Sequence, residues 1–256
     1  MPHAELNDLR IHYALEGPAD APVLVFSNSL GTDLHIWDSI VNGFSDRYRV
    51  LRYDTRGHGQ SSAPEGDYTL PMLGMDVLAL LESLKIESAI FCGISIGGMT
   101  GIWLGLHAGS RISKIILADT AARIGTRDSW NDRIRAVEGH GLAPLAEAAL
   151  ERWFTPAFRA RESGQMETML QAFQQTPGYS GCCAAIRDAD FYPSLGHMRK
   201  PSLVFSGTDD GVTPPADGRR LAKEIAGAQY CELAGRHLAP LEDVEVFTRT
   251  VLKFLE

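Results

Sequence analysis

Four cysteines are few for a chain of 256 residues, and they show no paired spacing: Cys92 stands in an apolar run, Cys182 and Cys183 are adjacent, and Cys231 falls in a predicted strand. That pattern argues against a disulfide scaffold and for reduced thiols, and no Cys or His cluster has the spacing of a metal site. No apolar run approaches the roughly 20 residues that span a bilayer. The opening Met1-Pro2-His3-Ala4-Glu5 lacks the charged and apolar regions of a signal peptide, so a cytoplasmic location is expected. Lys and Arg are scattered, and the formal charge is -8. There is therefore no electrostatic footprint for nucleic acid or an anionic membrane, and a small molecule is the expected partner. No predicted strand is followed by the G-x-G-x-x-G phosphate loop, which argues against a dinucleotide enzyme.

What is present is apolar substance, 45% of the chain, in short runs. Leu9 to Leu15 alternates like a half-exposed hairpin arm, whereas Val23 to Phe26 is continuously apolar like a buried central strand. Tyr48 to Tyr53, Ala89 to Gly93, Ile112 to Ala118, Ser202 to Ser206 and Tyr230 to Leu233 read as further strands. Helical spacing over Leu70 to Leu84, Gly97 to His107, Ala216 to Ile225 and Val244 to Leu255 supplies covering helices. This alternation predicts an α/β fold with a mostly parallel, doubly wound sheet. Between Thr120 and Tyr192 the strand rhythm stops and helical periodicity takes over, with Trp130, Ile134, Leu145, Leu150, Met166, Met169 and Phe173. The expected organisation is a core of residues 1–120 and 194–256 with a helical lid, 121–193, inserted where open α/β sheets bind ligands.

Gly93-Ile94-Ser95-Ile96-Gly97 lies directly between a predicted strand and a predicted helix. A serine on such a sharp turn needs small neighbours two residues before and after it, and Gly93, Gly97 and Gly98 meet that need. The strand-turn-helix context makes Ser95 the candidate nucleophile over a plain turn serine. A serine hydroxyl needs a base that is itself oriented by an acid. Of the eight histidines, His237 stands at a carboxyl strand end, in Ala234-Gly235-Arg236-His237. His58, His107, His140 and His197 are placed less suitably for that role. The loop Gly207-Thr208-Asp209-Asp210-Gly211 offers adjacent carboxylates, and Asp210 is preferred as the acid, with Asp209 and Asp119 as alternatives. The order serine, acid, histidine is that of the α/β-hydrolases. The oxyanion donors are expected to be the N–H groups of Ile96 and of Leu30, in Ser27-Asn28-Ser29-Leu30-Gly31, with Ser29 either touching substrate or serving as a turn residue.

These residues resemble the 3-oxoadipate enol-lactonases, over nearly the whole chain. The resemblance rests on Phe26 to Thr32 with Trp37-Asp38, on Tyr53-Asp54-Thr55-Arg56-Gly57-His58-Gly59, on Gly93 to Gly98 and on Gly207 to Pro215. The Asp-Thr-Arg-Gly-His-Gly stretch and the serine turn are common to many α/β-hydrolases, whereas the Asn-Ser-Leu-Gly and Gly-Thr-x-Asp-x-x-Thr-Pro-Pro loops narrow the match. The resemblance implies an α/β-hydrolase fold with an eight-stranded-type sheet and a helical lid. It also implies hydrolysis of a small anionic enol-lactone to 3-oxoadipate in aromatic breakdown, without cofactor or metal, with Ser95, Asp210 and His237 as triad. No fused decarboxylase segment is expected.

An anionic lactone calls for cations near the lid, where Arg123, Arg127, Arg133 and Arg135 are available, and Trp130 offers either a flat wall for the ring or a lid-core aromatic. Arg236, beside the base, is a further cation that bears on substrate charge, while Arg56 and His58 are expected to brace their loop. The rival readings are a broad carboxylesterase or perhydrolase with the same triad, and a ligand-binding homologue without turnover. A dehalogenase or epoxide hydrolase would carry aspartate where Ser95 stands.

Overall fold

The computed structural model describes residues 1–6 and 9–256. Eight strands form one sheet: β1 (His3–Leu6), β2 (Leu9–Glu16), β3 (Val23–Ser27), β4 (Arg49–Tyr53), β5 (Ala89–Ile94), β6 (Ile112–Ala118), β7 (Ser202–Gly207) and β8 (Gln229–Leu233). Their order is β1-β2-β4-β3-β5-β6-β7-β8. β2 runs antiparallel to both β1 and β4, and every other neighbouring pair is parallel. This is the α/β-hydrolase fold, and the strands read from apolar runs match the observed ones to within a residue or two. β1 was not predicted, because four residues with one exposed position are too short for alternation to register.

The continuously apolar strands are buried on both faces. In β3, Leu24 and Phe26 join the core on one side of the sheet, while Val23 and Val25 join the core on the other. A period of two sends successive side chains to opposite faces, so a strand covered on both sides has no position free for a polar residue. One core includes Leu80 and Ile102, from helices Leu70–Ser83 and Ile96–His107. The other holds Phe205 and Phe247, the latter from helix Val244–Leu255. Thr69 caps the first of these helices by accepting from the Met72 N–H.

Between β6 and β7 the chain forms only helices, chiefly Arg127–His140, Ala146–Trp153, Pro156–Arg161, Ser163–Gln174 and Tyr179–Arg187. The first starts with a capping box between Thr126 and Ser129. Leu150, Trp153, Met169 and Phe173 pack into the same core as Phe26 and Ile94, so the insertion rests on the carboxyl ends of the strands. No helix among the described residues is long and apolar enough to cross a membrane.

Candidate active site

Ser95 separates β5 from helix Ile96–His107, with φ of 58° and ψ of -117°. A non-glycine residue in that region carries about 1–3 kcal/mol of strain, which the surroundings must hold in place. The flanking glycines show how. A Cβ on Gly93 would overlap the Gly97 carbonyl, and one on Gly97 would stand 2.5 Å from the Ser27 carbonyl oxygen. On the far side the Thr120 hydroxyl donates to the Ser95 carbonyl at 2.7 Å. The tight turn lifts Ser95 above the sheet, and the pairing of Ser27 with Gly93 sets the loop after β3 beside it.

His237 is buried and joins two partners: Nε2 lies 2.9 Å from Ser95 Oγ, and Nδ1 lies 2.9 Å from Asp210 Oδ2. Asp210 is fixed in turn. Its Oδ2 accepts the Thr213 hydroxyl at 2.7 Å, and its Oδ1 accepts the backbone N–H groups of Val212 at 2.7 Å and Thr213 at 3.1 Å. Burial acts to raise the Asp210 pKa, but the charge of His237 and the hydrogen bonds from His237 and Thr213 outweigh it, and the net shift is downward. An ionised Asp210 accepting from Nδ1–H leaves Nε2 free to accept the serine proton.

The other carboxylates are placed elsewhere. Asp209 is exposed, its backbone N–H held by the Gly235 carbonyl at 2.9 Å. Asp119 is fully buried, and its two oxygens accept the Gly207 N–H at 2.7 Å and the Ala239 N–H at 2.9 Å. It thus links the strand end that leads to Asp210 with the helix that follows His237.

The loop after β3 makes a turn at Ser29 to Thr32, closed by Thr32 N–H on the Ser29 carbonyl at 3.2 Å. Asn28 anchors it by donating to the Tyr53 carbonyl and accepting from the Trp37 indole, each at 2.9 Å. The Leu30 N–H is not used in closing the turn. Ile96 opens its helix, where N–H groups have no intrahelical partner.

A cavity of about 270 Å³ has walls that include Ser29, Leu30, Ser95 and His237, together with Trp130, Arg133 and Arg152. The Trp130 indole donates to the Ile124 carbonyl at 2.7 Å, which leaves its ring as a wall. Among the described residues no group of three or more His, Cys, Asp or Glu side chains is placed to hold a metal ion.

The α/β-hydrolase fold family model matches residues 22–244. At 43% identity the chain aligns with 3-oxoadipate enol-lactonase 2 of Acinetobacter baylyi, over 96% of this chain and 92% of that one. It belongs to the 3-oxoadipate enol-lactonase family of α/β-hydrolases. The family's 3-oxoadipate enol-lactonase 1 from the same organism is 41% identical over 94% of this chain and 91% of its own. The solved structure of an enol-lactonase from Burkholderia xenovorans LB400 superposes with a TM-score of 0.97 at 44% identity, covering 99% of each chain. Like its family, the chain is a hydrolase acting on ester (lactone) bonds.

Of the arginines singled out in this enol-lactonase family member, only Arg133 borders the cavity. Arg123, Arg127 and Arg135 are exposed and paired with Asp190, Asp188 and Asp132. Arg236 is spent on the Glu151 carbonyl. Arg152 was missed, because nothing in Leu150-Glu151-Arg152-Trp153 separates a cavity arginine from a solvated one; the docking of its helix decides it. Burial and the neighbouring charge of Arg133 both depress the Arg152 pKa. Arg133 has a buried Nη1 with no hydrogen-bond partner among the described residues. Arg56 and His58 both brace their loop, Arg56 through a bidentate pair with Asp76 at 2.5 Å.

Proposed function

We propose that the protein hydrolyses 3-oxoadipate enol-lactone to 3-oxoadipate in the β-ketoadipate route of aromatic breakdown, through an acyl-enzyme on Ser95. The observation that carries this reading is the line from Ser95 Oγ through His237 to Asp210, with 2.9 Å steps, opening into a small cavity lined by two arginines. The names of its family relatives supply the substrate.

Ser95 Oγ attacks the lactone carbonyl as His237 Nε2 takes its proton, and the N–H groups of Leu30 and Ile96 stabilise the oxyanion. Collapse breaks the bond to the ring oxygen, and His237 returns the proton to the leaving enolate oxygen. Ring opening therefore leaves the substrate attached to Ser95 by its acyl end. A water then gives its proton to His237 and attacks the acyl carbon, which frees the carboxylate and restores Ser95. The released enol becomes the ketone of 3-oxoadipate.

The substrate's own carboxylate is assigned to Arg133 and Arg152. Two close cations in a partly desolvated wall repel one another, and an anion between them turns that repulsion into charge-assisted hydrogen bonds. Trp130 forms a flat side for the ring, Ser29 lies beside the reacting carbonyl, and the helices of 121–193 act as the lid. The chemistry requires no cofactor. We place the protein in the cytoplasm, in keeping with its four free thiols.

Hydrolysis of 3-oxoadipate enol-lactone, followed by its ultraviolet absorbance beside a short nitrophenyl ester, tests the proposal. A much higher kcat/KM on the lactone is expected, with loss of both activities in Ser95→Ala. Ester turnover without lactone turnover would leave a broad esterase and discard the pathway.

A further inference from the structure

His58 makes no hydrogen bond to the proposed triad, yet it is 1% exposed and both ring nitrogens are engaged. Nδ1 lies 3.2 Å from the Arg56 carbonyl, which only accepts, so Nδ1 carries the proton. Nε2 lies 2.9 Å from the backbone N–H of Gly31, which only donates, so Nε2 is the acceptor. The partners thus define one neutral tautomer. Burial favours the same form by pushing the pKa down, against opposing effects of the Arg56 carbonyl and the Asp54 charge.

Gly31 is the third residue of the Ser29 to Thr32 turn, and its φ of 79° is the mark of a type II turn. Types I and II differ by a flip of the peptide between the second and third residues, here Leu30 and Gly31. The Gly31 N–H belongs to that peptide, so whatever accepts from it selects the turn type. On the other side a Cβ at Gly31 would stand 2.6 Å from the Phe173 ring, which leaves the turn held between His58 and the insertion.

We propose that His58 is a positioning residue for the oxyanion hole: its neutral Nε2 accepts the Gly31 N–H and so anchors the turn whose preceding peptide, Ser29–Leu30, presents the Leu30 N–H to the reacting carbonyl. This rests on Leu30 as an oxyanion donor, as proposed above, but not on the identity of the lactone. It predicts a residue that acts on kcat from outside the cavity. Substrate capture by Arg133, Arg152 and Trp130 is independent of it.

The test compares His58→Leu with His58→Gln in the full chain. Glutamine can place its amide oxygen near the Nε2 position and accept from Gly31, whereas leucine cannot. Nitrophenyl acetate is the substrate, so an error about the lactone leaves the result unaffected, and phenylboronic acid probes the tetrahedral state. His58→Leu is expected to lower kcat, approaching the roughly 10²-fold loss seen when an oxyanion donor is removed. KM should hardly move, boronate inhibition should weaken in parallel, and His58→Gln should recover most of the rate. Unchanged kcat in His58→Leu, or equal losses in both variants with intact melting transitions, overturns the proposal. Should the leucine variant not fold, His58→Asn replaces it, because its shorter amide reaches the Nδ1 side only. Asparagine as fast as glutamine then overturns the proposal.

Discussion

The backbone carbonyl of Arg152 accepts the N–H of His237 across 3.3 Å, so a residue whose side chain borders the cavity also holds the main chain of the proposed base. The bond has company. The Trp153 carbonyl accepts from Leu238 at 3.1 Å, the Arg236 guanidinium donates to the Glu151 carbonyl, and Glu242 accepts from the Thr155 N–H and hydroxyl and from the Arg236 N–H. The end of the helix Ala146–Trp153 and the loop that carries His237 are therefore one bonded unit.

Glu242 is the acceptor that holds this unit together. Glu242→Ala leaves three donors without their partner and is expected to cost about 1–3 kcal/mol. Thermal unfolding should register the loss, and kcat should fall with it because His237 loses its support. An unchanged melting temperature would place the stability of this joint elsewhere.

Asp210 and Asp119, both buried, should respond unequally to substitution. Asp210→Asn deprives His237 of the acceptor that sets its tautomer, and kcat is expected to drop about 10³–10⁴-fold. Asp119→Asn, which keeps one acceptor for Gly207 or Ala239, should cost tenfold or less in kcat, on the order of the weakening of one buried hydrogen bond. Comparable losses in the two variants would mean that Asp119 takes part in orienting the base.

Their pH dependences should differ in sign as well. The Asp210 pKa is lowered on folding, so its ionisation stabilises the fold above the unfolded value and this is lost as pH falls through the folded value. Burial first, and then the charge of Asp210, hold the Asp119 pKa well above the ordinary carboxylate range, so its ionisation withdraws stability as pH rises. Urea unfolding should show the penalty of Asp210→Asn growing as pH rises through the acid range to about 4 and then levelling off, and that of Asp119→Asn shrinking from about pH 4 upward. Parallel trends would contradict the opposite environments of the two carboxyls.

Arg133→Met and Arg152→Met test the carboxylate assignment. Each should lower kcat/KM on the lactone by roughly 10–100-fold, the worth of one charged hydrogen bond of about 1.5–3 kcal/mol, mainly through KM. Turnover of a neutral nitrophenyl ester should change little. An equal loss on both substrates would remove the arginines from substrate recognition and make them supports of the fold.

Thiol labelling gives a check on the core itself. Burial raises the pKa of Cys92 and of Cys182, and pushes Cys183 up to about 12, whereas Cys231 is partly exposed on β8. A disulfide reagent at neutral pH should titrate Cys231 quickly and the other three only on unfolding. Rapid labelling of a second thiol in the native protein would show that the sheet or the insertion opens.

What the sequence determined by itself is local in its physics. The central strands were legible because burial on both faces leaves continuous apolar runs, and Ser95 because a strained turn tolerates only glycine at Gly93 and Gly97. The choice of His237 followed from its place after a strand. Tertiary structure alone decided the rest, since Ser95 and His237 are 142 positions apart and Asp119 meets Ala239 across 120. Asp210, Asp209 and Asp119 look alike as letters at strand ends. They are told apart by which donors surround each one. Arg133 and Arg152 likewise differ from Arg123, Arg127 and Arg135 only because the helices dock those two against the cavity and leave the others beside aspartates in solvent. His58 shows the same division: its motif marked a brace, but only the fold brought Nε2 against Gly31, because a hydrogen bond depends on where two loops meet and not on the spacing within either.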